Sequence, residues 1–88
     1  MKALRVPVGE QPALIVVGRG NDQKVIIRNL SRRHAVYVGG KAVTADEGFH
    51  VAPDEALPWF HMHQGEEIWA VCSVGQTSVV SVLVGGTV

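Results

Sequence analysis

The sequence predicts an all-β domain, a single small antiparallel β-sandwich or jelly-roll-like barrel of about eight short strands. Three observations predict it. Valine dominates the apolar residues, and β-branched side chains pack well on a pleated surface but lose freedom in a helix. The apolar runs are short. Gly, Pro, Asn and Asp interrupt them at near-regular intervals, the spacing a sandwich or barrel requires.

The expected strands, in order, are "ALRVPV" (Ala3 to Val8), "ALIVVG" (Ala13 to Gly18), "KVIIRNL" (Lys24 to Leu30), "AVYVGG" (Ala35 to Gly40), "GFHVA" (Gly48 to Ala52), "LPWFHMH" (Leu57 to His63), "EEIWAVC" (Glu66 to Cys72) and "TSVVSVLV" (Thr77 to Val84). Between them lie the breakers "RGNDQ", "SRRH", "TADEG", "APDEA", "QG" and "SVGQ". Pro7 and Pro58 cannot donate to a strand ladder, so both belong at a sheet edge or a strand start. Alternation places Val25, Ile27 and Asn29 on one face and Ile26, Arg28 and Leu30 on the other. In the last strand Val80, Val82 and Val84 oppose Val79, Ser81 and Leu83. Neither strand has a wholly polar face, so some apolar surface is expected to meet another subunit or a larger partner.

At 88 residues the chain reads as one domain, residues 1–88, able to bury a core with a thin margin of stability. Eight Lys plus Arg balance eight Asp plus Glu, which argues against nucleic acid or an anionic membrane as partner. Cys72 is the only cysteine and excludes an internal disulfide; a reducing compartment fits best. The N-terminal apolar run is broken by "PVGEQP", and no stretch approaches the roughly 20 apolar residues of a membrane span. Synthesis in the cytoplasm follows as the expectation.

From Lys24 onward the order of features is more specific: a strand ending in "RNLS", then "VYVGG", "VTADEGFHV", a polar turn, an apolar arm, "GEEIWAV" and a closing valine-rich strand. This succession resembles the small β-sandwich structural proteins of tailed bacteriophages, over about two thirds of the chain. The resemblance implies a virion component without catalytic residues or cofactor, most plausibly a capsid decoration protein, or otherwise a head or tail accessory. Its partners would be the major capsid protein or other virion proteins, and a homotrimer is the first choice because capsid surfaces offer three-fold sites. The same resemblance divides the chain into N-terminal strands or an arm (1–23), serving as an assembly contact, and a sandwich core (24–88).

Individual residues support such roles. Asn29 at a strand end can close an Asx-type turn, and the glycines after Tyr37 permit a tight turn with positive φ. Arg32, Arg33 and His34 sit at a loop tip, either solvated or gripping an acidic surface. Trp59, Phe60 and Trp69 are core residues or interface anchors. Cys72, in the apolar "AVCSV", reads as a buried thiol.

The rival reading comes from "FHMHQGEEIWAVCSVG". His61 and His63 at i and i+2 point to one side of a strand, and Glu67 from a following strand can complete a three-ligand metal site. The string resembles the first cupin motif. A cupin has a second motif supplying another His, yet none follows Glu67, and Val88 comes soon after Gly75. If "QG" is a two-residue hairpin loop, His63 pairs with Glu66 and Glu67 turns away; a three-residue loop would pair His63 with Glu67. A third reading is a sugar-binding module using Trp59 and Trp69.

Overall fold

The computed structural model describes residues 2–19 and 23–85, so Met1 and most of the "RGNDQ" breaker lie outside the described residues. Eight strands are present: β1 (Lys2–Val8), β2 (Ala13–Val17), β3 (Gln23–Asn29), β4 (Val36–Gly39), β5 (Phe49–Val51), β6 (Phe60–Met62), β7 (Glu67–Val71) and β8 (Ser78–Gly85). Every boundary lies within one residue of expectation except the start of β6. There Pro58 removes a donor, and the preceding segment is held instead by the Leu57 N–H donating to the Ile27 carbonyl at 2.8 Å.

The strands form two four-stranded antiparallel sheets, sheet I in the order β1-β8-β3-β6 and sheet II in the order β2-β7-β4-β5. The pairs nest: β1 with β8, β2 with β7, β3 with β6 and β4 with β5. That is a long antiparallel ribbon rolled on itself, the winding of a jelly roll. Among the described residues no helix is long and apolar enough to cross a membrane.

Inward side chains from both sheets build the core, with Val25, Val51, Val80 and Val82 wholly buried beside Ile27 and Met62. The alternation of β3 and β8 is as the sequence predicts. In β2 the register with β7 shifts between Leu14 and Val16. This bulge lets the neighbours Ile15 and Val16 both reach the core, which a regular strand forbids.

The core does not begin at Lys24. β1 is registered along its whole length against β8 as an edge of sheet I, β2 is an edge of sheet II, and Val8, Ile15 and Val16 are buried. The N-terminal strands are thus structural members of both sheets and not an arm, because without them each sheet would lose its edge and its share of the core. Pro7 takes the expected edge position.

Two local devices explain the motif residues. Asn29 is fully buried, and its Nδ2 donates to the carbonyls of His34, Val51 and Ala52 at 2.9, 3.2 and 3.3 Å. Its Oδ1 accepts from the Ser31 N–H, closing the expected Asx turn, and from the Ser78 hydroxyl. One side chain therefore ties β3, the β3–β4 loop, the end of β5 and β8.

The second device is the β4–β5 loop, residues 40–48, which folds back over the outside of sheet II. Thr44 accepts through its carbonyl from the N–H groups of Glu47 and Gly48, and Val43 is buried. A Cβ on Gly39 would lie 3.0 Å from Val43 Cγ2, and one on Gly48 would lie 2.6 Å from Tyr37 Cβ. Of the glycines after Val38, Gly39 serves close approach and Gly40 stands open; among the described residues positive φ belongs to Gly65, Gly75 and Asp54. The expected positive-φ turn at "VGG" is therefore corrected.

Candidate functional site

The "FHMHQGEEIWAVCSVG" stretch is not a hairpin. β6 pairs with β3 in sheet I while β7 lies between β2 and β4 in sheet II, so His63 to Glu66 forms an arch between the sheets. The His63 carbonyl accepts from the Glu66 N–H at 3.1 Å, and Gly65 at φ +88° fits the third position of a type II turn. The Gly65 N–H donates to the Gly18 carbonyl at 3.0 Å and the Gly18 N–H to the Glu66 carbonyl at 2.7 Å, fastening the arch to the end of β2. A Cβ on Gly18 would fall 2.0 Å from the His63 carbonyl oxygen. Only glycine fits there.

This geometry separates the metal-ligand candidates. Met62 points into the core, so its neighbour His61 faces out from sheet I; Ile68 and Ala70 face in, so Glu67 faces out from sheet II. Neither hairpin loop length applies, because the two strands do not pair. Among the described residues no group of three or more His, Cys, Asp or Glu side chains is placed to hold a metal ion. His61, His63 and Glu67 do not converge.

The outside of sheet I is the most distinctive surface. Register aligns Ala3, Leu83 and Ile26 in one row, Arg5, Ser81 and Arg28 in the next, and Pro7 with Val79 beyond. Ile26, Leu83 and Val79 are 37%, 36% and 39% exposed. At the β6 side Trp59 is 55% exposed, meets the His61 ring edge-on at 5.1 Å between centroids, and carries the Lys24 ammonium 4.9 Å from its own centroid. Arg28 donates to the Asp54 carboxylate at 2.9 Å, and that hydrogen bond holds the Asp54 carboxyl below its usual range, with a smaller contribution from Arg32.

Arg32 and Arg33 are exposed at the β3–β4 loop tip, as expected, where the Ser31 hydroxyl accepts from the Arg33 N–H at 3.1 Å. The His34 Nδ1 lies 3.0 Å from the Thr77 carbonyl. An open groove of about 410 Å³ beside this loop is lined by Arg5, Leu30, Ser31, Thr77, Ser78 and Val79.

Sheet II presents a different exterior. Trp69 is half-buried opposite Leu14 and Gly39, and its Nε1 donates to Glu67 at 3.0 Å. Trp59 and Trp69 thus lie on opposite outer faces and cannot flank one sugar. Cys72 is buried, its thiol pushed above its ordinary pKa by desolvation. The cluster of Lys24, Trp59 and His61 escaped sequence reasoning, because bringing Lys24 to the aromatics depends on the pairing of β3 with β6. No family model, curated protein or solved structure matches the chain.

Proposed function

We propose that this chain is a bacteriophage virion structural protein, most specifically a capsid decoration protein that binds and stabilises the assembled shell in many copies. The observation that carries the reading is the open apolar exterior of sheet I, where Ile26, Leu83, Val79 and Trp59 remain in solvent. Patches of this kind on a small stable domain mark surfaces that a larger assembly covers. Jelly rolls host capsid, lectin and cupin domains alike, so the fold does not choose among these functions.

The motifs of the phage-like succession support the reading further. "NLS" carries the Asn29 node, and "VYVGG" with "VTADEG" builds the loop over sheet II. Arg32 and Arg33 at the loop tip are the contact to an acidic shell surface, formed with the major capsid protein. Binding only to the assembled shell would stabilise it by linkage, and repeated copies would raise a modest contact through avidity. The test is mass spectrometry of density-purified virions from the strain that encodes the chain. Multiple copies per shell are expected; a protein abundant in the cells but absent from those virions overturns the reading.

A further inference from the structure

The chain is neutral overall, yet its charges are segregated by sheet. The strands of sheet I carry Lys2, Arg5, Lys24 and Arg28 and no acidic residue. Those of sheet II carry Glu67 and no lysine or arginine, with His50 edge-on to Tyr37 on the same side. Register places Arg5, Lys24 and Arg28 on the outward side of sheet I; Asp54 pairs with Arg28 there, so among the described residues Arg5 and Lys24 carry the unbalanced positive charge of that face. Outside sheet II, Glu67 is joined by the exposed Asp46 and Glu47 of the covering loop, with Lys41 the single basic residue of that loop.

Both exteriors also offer apolar surface, Ile26 and Leu83 on one side and Leu14 with Trp69 on the other. We infer that copies of this chain associate face to back, the cationic exterior of sheet I on one copy seating against the acidic exterior of sheet II on the next. Charge complementarity selects this arrangement, since a symmetric contact of sheet I with itself would oppose like charges. Because the two faces lie on opposite sides of the slab, two copies can satisfy only one such contact. Repeating a contact between opposed faces therefore generates an open stack of copies. The contact is argued from charge and exposed apolar surface and does not rest on the virion reading, although the two would compete for the exterior of sheet I.

The test is sedimentation velocity on the full chain and on two double variants, Arg5→Glu with Lys24→Glu and Glu47→Lys with Glu67→Lys. The parent is expected to associate, and to weaken at least about ten-fold between roughly 0.05 and 0.5 M salt. Each double variant alone should be monomeric where the parent associates, and their equimolar mixture should regain association, because the two reversed faces complement each other. The corresponding glutamine substitutions should give only a partial loss, and circular dichroism melts establish that each variant is folded. A parent that stays monomeric up to about 1 mM, a sheet II variant that associates as well as the parent, or a mixture that stays monomeric would each overturn the inference.

Discussion

The two outer faces of the sandwich meet the same problem in different ways. Each carries apolar side chains outward, but sheet II folds its own loop over β4 and buries Val43 and Val71 on the outside, apart from the main core, leaving Leu14 open on its β2 edge. Sheet I leaves Ile26, Leu83 and Val79 open. The covering loop exists because Gly39 and Gly48 allow backbone and side chains to come within contact distance. No glycine lies at the centre of sheet I, where β8 and β3 carry Ser81, Leu83, Ile26 and Arg28 outward. A covered face contributes to the stability of one chain; an open one contributes only when something else covers it.

Substitutions can break this contrast. The largest effect is expected at the node that serves both sheets: Asn29→Ala removes five hydrogen bonds and leaves buried carbonyls unpaired, at a cost of about 3–5 kcal/mol. A urea titration followed by tryptophan fluorescence measures it, and a midpoint like the parent's would remove Asn29 from its place as the tie between layers. Next comes the covering loop. Gly48→Ala drives a Cβ against Tyr37 and Val43 and should cost about 2–3 kcal/mol, with faster amide exchange confined to residues 40–48.

Comparable truncations on the two faces sharpen the contrast. Val43→Ala should destabilise by about 1–2 kcal/mol, since it empties a buried site. Leu83→Ser on the open face should stay within about 0.5 kcal/mol in the same denaturation experiment while weakening self-association. Equal losses of stability at the two positions would show that the faces are equally covered.

The smallest effect concerns the exposed Arg28–Asp54 pair. The folded-state pKa of Asp54 is depressed, so its contribution is present above the unfolded value and is lost as pH falls through the folded value, on the acid side of about pH 4. A carboxyl titration by NMR should find Asp54 below the ordinary aspartate range, and Arg28→Gln should return it there. An unchanged titration in that variant would mean that Arg28 is not the cause.

Much of the fold was legible because side-chain direction along a strand is local. Val25, Ile27 and Asn29 had to share a face whichever strand lay beside them, and Pro7 had to avoid a central position. The Asx turn at Asn29 was equally local, since its acceptor reaches only to Ser31. The candidate metal site was not legible in the same way. His61, His63 and Glu67 are close in sequence, but their convergence depends on β6 and β7 sharing a sheet.

By itself, then, the sequence determined the number of strands, nearly all their ends and the inward sets of β3 and β8, because breakers and two-residue alternation act within a few residues. Only the tertiary structure decided which strands pair. The rolled ribbon sends β6 and β7 to opposite layers, turns the apparent ligand stretch into an arch, and gathers basic residues outside one sheet and acidic residues outside the other. Pairing is settled by hydrogen bonds and burial between residues far apart in the chain, here β1 with β8 across nearly its whole length, and no local pattern encodes that closure.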